Sequence, residues 1–99
     1  MVNEKNNIKG SEVAYLSIFG PLRDKIGSHL VVVIPKEGLS LNAFTEIIKR
    51  DYGCDIKEYI NKPQTIFLLN GRRLQTNDLF SAYICRGDQL LLTVAISGG

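Results

Sequence analysis

One stretch of the chain decides the fold: Leu39-Ser-Leu-Asn-Ala-Phe-Thr-Glu-Ile-Ile-Lys-Arg-Asp-Tyr52. Its apolar residues recur every three or four positions, which is typical of a helix with one buried face. Ser40 is a good N-cap because its hydroxyl can accept an unpaired amide of the first turn, and Gly53 suits the left-handed position after the last turn. We therefore expect one amphipathic helix across one sheet. The stripe expected to be buried consists of Leu41, Phe44, Ile47, Ile48 and Tyr52.

Strand-like segments lie on both sides of this helix. They are rich in β-branched and aromatic residues, and several alternate between two faces. Asn70-Gly71 predicts a type I′ hairpin turn because both residues tolerate a positive φ. The predicted strands are Val13–Phe19, His29–Ile34, Thr65–Leu69, Arg72–Gln75 and Gln89–Ile96.

The resulting order, β-β-α-β-β-β, predicts an α+β fold in which one main helix packs on a mixed sheet of four to five strands. Two hairpins flanking a helix, with the first and last strands paired centrally and in parallel, describe a ubiquitin-like β-grasp. We expect residues 1–12 to form a disordered polar leader and 13–96 to form the domain. Residues 97–99 would then be a flexible Ser-Gly-Gly tail.

Composition excludes several classes of function. The chain has 99 residues, 44% of them hydrophobic, which is enough for one small core and argues against disorder. Its net charge is only +2, and apart from Arg72-Arg73 the basic residues are scattered, so nucleic-acid binding is not predicted. Neither a transmembrane run nor a signal peptide is evident. We expect a cytoplasmic protein in which Cys54 and Cys85, which lack CxxC spacing, stay reduced.

The residues needed for catalysis are almost absent. His29 is the only histidine, and it opens an apolar strand, where a structural or surface role is the usual one. No cluster of ligands predicts a metal site, and no glycine-rich phosphate loop occurs. We therefore expect a protein that is not an enzyme, with no catalytic residue, no metal and no cofactor of its own.

The C-terminal stretch offers a different reactive group, the α-carboxylate. The last predicted strand runs into Ser97-Gly98-Gly99. Glycines carry no Cβ, so such a tail can enter a narrow channel in a partner enzyme and present its carboxylate to ATP. Attack on the α-phosphate would give an acyl-adenylate that a sulfur or amine nucleophile then takes.

Three segments give the chain a resemblance to a known family. They are Phe19-Gly-Pro-Leu-Arg-Asp-Lys-Ile-Gly27, Asn70-Gly71, and Gly87-Asp88 followed by the terminal strand and Ser97-Gly98-Gly99. Together they resemble the ubiquitin-like sulfur carriers, which include the molybdopterin synthase small subunit (MoaD), the thiamine sulfur carrier (ThiS) and the small archaeal modifier proteins. The first segment looks like the molybdopterin branch, whereas the proline-free approach Val94-Ala-Ile96 is closer to the thiamine branch.

The resemblance implies that Gly99 is activated by an E1-like adenylating enzyme, which itself binds the ATP and Mg²⁺. The adenylate would become a thiocarboxylate that delivers sulfur, with the molybdopterin synthase large subunit as partner, or Gly99 would be joined to lysines of target proteins by an isopeptide bond. Gly98 and Ser97 would thread the tail. Arg23 and Ile96 are weaker candidates for contact with the partner.

The same partners are expected to dock on the sheet face away from the helix. Phe67 and Leu69 lie on one face of their strand, and Ile66 and Leu68 lie on the other. Because both faces are apolar, the sequence does not show which of them points away from the helix. Phe67 and Leu69 are the candidate contacts. Three hypotheses remain: a sulfur carrier, a protein modifier (one chain can be both), and a non-covalent β-grasp interaction module whose Gly-Gly end is accidental.

Overall fold

The elements of the protein are defined in a computed structural model that describes residues 12–60 and 62–94. The predicted boundaries of the first strand and of Thr65–Leu69 are matched residue for residue. The elements are β1 (Val13–Phe19), α1 (Arg23–Ile26), β2 (His29–Val33), β3 (Leu39–Ser40), α2 (Leu41–Tyr52), α3 (Lys57–Ile60), β4 (Thr65–Leu69), β5 (Arg72–Arg73), a 3₁₀ turn (Thr76–Asp78), β6 (Tyr83–Ile84) and β7 (Gln89–Val94).

Five of these strands form one mixed sheet in the order β2-β1-β7-β4-β5. At its centre β1 runs parallel to β7, with Phe19 opposite Thr93, while β2 and β4 pair antiparallel to them. Asn70 and Gly71 both have positive φ, 50° and 87°, as the predicted hairpin turn requires. The predicted β-grasp with a central parallel pair is confirmed.

Helix α2 begins and ends where the sequence predicts. The backbone N–H of Ala43 donates to the Ser40 hydroxyl at 3.1 Å, which caps the first turn. At the other end Gly53 is left-handed, with φ 74°, and its N–H donates to the carbonyl of Lys49. These two residues therefore fix the length of the helix that covers the sheet.

The buried face of α2 differs from the predicted stripe in two places. Leu41, Phe44 and Ile48 are fully buried, as expected. Thr45 is fully buried as well, because its hydroxyl donates to the carbonyl of Asn42 at 2.7 Å and so needs no water. The prediction for Tyr52 is wrong: it is 37% exposed in the last turn of the helix, and Ile56, which follows the turn at Gly53, is buried in the core instead.

The structure also contains a two-stranded sheet of β3 and β6, which the sequence pattern did not predict. The loop that leads into β6 also caps α2, since the carbonyl of Ala82 accepts the N–H of Leu41 and that of Leu79 accepts the N–H of Asn42, both at 2.8 Å. Two-residue strands are too short to show a period, which is why the pattern did not reveal them. The pair fixes the helix to the loop that precedes β7.

The cap at Ser40 can be tested by substitution. Ser40→Ala is expected to lower the free energy of unfolding by about 1 kcal/mol, because the N–H of Ala43 loses its acceptor. Ser40→Asn, which restores an acceptor oxygen, is the matched control and should stay close to wild type. Urea unfolding measures both; equal stability of Ser40→Ala and wild type would show that the hydroxyl contributes nothing.

Candidate functional site

The parallel pairing of β1 and β7 places the last described residues of β7 beside the end of β1. Parallel strands finish at the same edge of a sheet, so Phe19 and Thr93 lie side by side there. Strand β7 is held by β1 on one side and by β4 on the other, with Thr65 opposite Val94. The reactive residue Gly99, the tail residues Ser97 and Gly98 and the candidate contact Ile96 follow this strand in sequence and lie outside the described residues.

Gly20 lies close to the end of β7 at this edge. It has φ +99°, and a Cβ at this position would overlap the carbonyl oxygen of Val94. Only glycine allows the turn after β1 to pass so near the last described residue of β7. The Gly20-Pro21 break, expected from the sequence only as a strand terminator, therefore also sets the position of the end of β7.

Arg23 lies in the same region. Its backbone N–H donates to the carbonyl of Gly20 at 3.2 Å, which places it one turn beyond the contact with Val94. Its side chain is exposed, and within residues 12–60 and 62–94 it forms no ion pair. Arg23 is thus an exposed residue one turn after Gly20, and its contact with a partner stays a prediction.

The structure corrects the choice of contact residues on β4. Phe67 and Leu69 are only 1% and 8% exposed, because they face the helix and belong to the core. They cannot be surface contacts. Ile66, which is 42% exposed, and the half-buried Leu68 occupy the outer face. The sequence could not distinguish these two faces because all four side chains are apolar.

The outer face carries an apolar row next to a hollow. Leu68 pairs with Leu91, Leu91 pairs with Ser17, and Phe19 pairs with Thr93, so side chains of β4, β7 and β1 stand side by side. We call the concave surface here the outer-face hollow; the turn after β4 closes one end. It is lined by Ser17, Phe19, Leu68, Asn70, Gly71, Gln89, Leu90 and Leu91.

Leu91 and Ser17 are site residues that the sequence reasoning did not single out. The sequence did contain a signal for Ser17, because Tyr15, Ser17 and Phe19 alternate with Ala14, Leu16 and Ile18 along β1. The missing information was the register of β7 against β1, which places Leu91 beside Ser17. Register depends on the tertiary pairing of distant segments.

Groups suited to catalysis are dispersed. Within the part of the chain that the structure describes, no three His, Cys, Asp or Glu residues are grouped so as to hold a metal ion. His29 is exposed, and its Nδ1 lies 3.5 Å from the hydroxyl of Ser17 at the rim of the sheet. Burial raises the pKa of the Cys54 thiol, while Cys85 is exposed; both are free thiols.

Among the helices in residues 12–60 and 62–94, none has the length and apolar character needed to cross a membrane.

Comparisons with known proteins support the fold assigned above, through similar structures rather than similar sequences. The sequence matches no protein-family model and no curated protein. The structure is similar to that of SAMP1 from Haloferax volcanii, with a TM-score of 0.67 and 14% identity over 88% of this chain and 99% of that chain. It is also similar to a protein from Pyrococcus furiosus named as molybdopterin converting factor subunit 1, with a TM-score of 0.64 and 18% identity over 87% of this chain and 100% of that chain.

A third similar structure contains a partner subunit. It is the complex of subunits 1 and 2 of the molybdopterin-converting factor from Helicobacter pylori, with a TM-score of 0.54 and 17% identity over 88% of this chain and 99% of the matched chain. Identities this low establish the fold alone. The chain therefore has the ubiquitin-like β-grasp fold, and its structural neighbours include proteins named as a small archaeal modifier protein and as a subunit of the molybdopterin converting factor.

Proposed function

We propose that this protein is a cytoplasmic ubiquitin-like carrier or modifier that acts through the carboxylate of Gly99. The observation that carries the proposal is the anchoring of β7 between β1 and β4, with its end beside Gly20 and Arg23. Val94, the last described residue of this anchored strand, lies three positions before Ser97 in the sequence. The outer-face hollow lies on the same sheet.

The proposed chemistry needs one group from this chain. An oxygen of the Gly99 carboxylate attacks the α-phosphate of ATP in an E1-like enzyme, and pyrophosphate leaves. Hydrosulfide then attacks the carbonyl of the acyl-adenylate, AMP leaves, and the product is a thiocarboxylate. Attack by a lysine amine in the same way gives an isopeptide bond, with loss of AMP and of a proton from the amine. Gly98 and Ser97 would let the tail enter the enzyme without steric hindrance.

The outer-face hollow is the proposed docking surface for the activating enzyme and for a larger partner subunit. Phe19 lines the hollow and is 48% exposed. Large aromatic side chains of this type contribute much of the binding energy when a partner buries them. The complex of two molybdopterin-converting factor subunits supports a partner subunit as one class of ligand. Arg23 would add a charged contact next to the tail.

Substitution of Phe19 tests this surface. Phe19→Ser is expected to weaken binding to the activating enzyme about tenfold or more, because an exposed aromatic anchor is lost, while the unfolding midpoint stays near that of wild type. Val33→Ser is the matched control: Val33 is 55% exposed on edge strand β2 and does not line the hollow. Calorimetric titration measures both variants. Equal losses of affinity in the two would show that the hollow has no special role.

Sulfur carrier and protein modifier share this activation step and differ in the acceptor. The tagged protein, expressed in its native cells beside a variant lacking Gly98-Gly99, separates them by intact mass and immunoblot. Replacement of one oxygen by sulfur at Gly99 indicates a carrier, and a high-mass ladder that disappears in the deletion indicates a modifier. If neither is found and the deletion binds partners like wild type, the exposed outer face supports a non-covalent interaction module instead.

A further inference from the structure

The Asn70–Gly71 turn is tied to the neighbouring turn through one side-chain amide. The amide nitrogen of Asn70 donates to Oδ1 of Asp88 at 2.9 Å, and its oxygen accepts the N–H of Gln89 at 2.9 Å. The second carboxylate oxygen of Asp88 accepts the N–H of Cys85 at 2.7 Å. We call this set of bonds the Asn70–Asp88 clamp. It holds one wall of the outer-face hollow, which includes Asn70, Gly71 and Gln89.

The same turn contains a chemically reactive pair. When glycine follows asparagine, the unhindered backbone nitrogen of the glycine can attack Cγ of the asparagine. A C–N bond forms, ammonia leaves, and a five-membered succinimide results; water then opens the ring to aspartate or isoaspartate. Both Asn70 and Gly71 are exposed, and a Cβ on Gly71 would meet no atom within 4 Å. Water is the only co-reactant that this reaction needs.

The clamp controls access to this reaction. For Cγ to reach the nitrogen of Gly71, the Asn70 side chain has to give up its bonds to Asp88 and Gln89. A hydrogen bond to a charged acceptor is stronger than a neutral one, so the carboxylate of Asp88 restrains the Asn70 amide against the rotation that the reaction needs. Loss of that carboxylate should therefore speed the reaction.

The aspartate or isoaspartate formed at position 70 would weaken the Asn70–Asp88 clamp. A carboxylate at position 70 cannot donate a proton to Asp88, and two carboxylates within hydrogen-bond distance repel each other. We infer that Asn70 is a self-modification site: its deamidation is slowed by Asp88, and its product opens the clamp and distorts the hollow. The effect on partner binding rests on the proposed function, whereas the chemistry of the site does not.

The rate of modification is the first test. Wild type and Asp88→Ala are incubated at mildly alkaline pH, and conversion at residue 70 is followed by peptide mapping of aspartate and isoaspartate. Several-fold faster conversion in Asp88→Ala is expected. Asn77, whose follower Asp78 has a side chain, is the internal control and should convert at the same slow rate in both proteins. Equal rates at Asn70 in the two proteins, or no conversion there in either, would overturn the inference.

A charge exchange tests the consequence of the modification. Asn70→Asp should lower the unfolding midpoint by about 5 °C, because the two carboxylates repel each other. The double variant N70D/D88N should restore the midpoint, because donor and carboxylate exchange places and the N–H of Cys85 keeps an oxygen acceptor. If the double variant is no more stable than Asn70→Asp, repulsion is not the cause. None of these readouts involves Gly99, so they fail or succeed independently of the proposed function.

Discussion

Replacement of Gly20 with alanine is expected to lower the free energy of unfolding by about 2–5 kcal/mol. A residue with a side chain in a left-handed conformation costs about 1–2 kcal/mol, and Gly20 has φ +99°. The added methyl would also overlap the carbonyl oxygen of Val94, and overpacking of this kind costs about 1–3 kcal/mol. The substitution should therefore both destabilise the fold and displace the end of β7.

Gly71→Ala is the matched control for this prediction. Gly71 has φ +87°, close to that of Gly20, but a Cβ there would meet no atom within 4 Å. Its cost should be confined to backbone strain, about 1–2 kcal/mol. Urea unfolding of the two variants isolates the steric contact with Val94. Equal destabilisation by both substitutions would show that the approach of Gly20 to β7 is not tight.

Phe67→Ala is expected to cost about 3–5 kcal/mol, as truncation of a buried phenylalanine usually does. Phe67 is 1% exposed and belongs to the core cluster beneath α2. Ile66→Ala, one residue away on the outer face, should cost about 1 kcal/mol or less, because Ile66 is 42% exposed. Thermal or urea unfolding compares the two variants directly.

Partner affinity should show the reverse order: Ile66→Ala should lower it more than Phe67→Ala does. Ile66 lies opposite Thr93 on the outer face, next to the pairing of Phe19 with Thr93. Ile66 does not line the outer-face hollow but lies beside it on the same face, so its truncation is expected to weaken partner binding less than Phe19→Ser does, while the protein stays folded. A large stability loss in Ile66→Ala with little in Phe67→Ala would mean that the two faces of β4 have been assigned the wrong way round.

Much of the fold could be predicted because it depends on local rules. The cap at Ser40, the glycine after the last turn of α2 and the Asn70-Gly71 turn each follow from the conformational preferences of a few adjacent residues. The strands Val13–Phe19 and Thr65–Leu69 follow from composition between breaking residues. Local consistency of this kind also fixed the order of elements, and hence the β-grasp.

The remainder depends on contacts between distant residues. The outer face of β4 could not be identified because both of its faces are apolar, and the proximity of Gly20 to Val94 depends on the pairing of β1 with β7. The exposure of Tyr52 depends on how far α2 extends beyond the core. The roles predicted for Ile96, Ser97, Gly98 and Gly99 concern residues outside the described ones and stay predictions.

The most direct test of the central claim is ATP–pyrophosphate exchange by the E1-like enzyme of the same organism. The purified full chain is compared with a variant that ends at Ser97, with ATP and Mg²⁺ present in both reactions. We predict exchange that depends on the full chain and disappears when Gly98 and Gly99 are removed. Exchange that is equal with the two proteins, or absent with both while the enzyme activates another carrier, would contradict activation at Gly99.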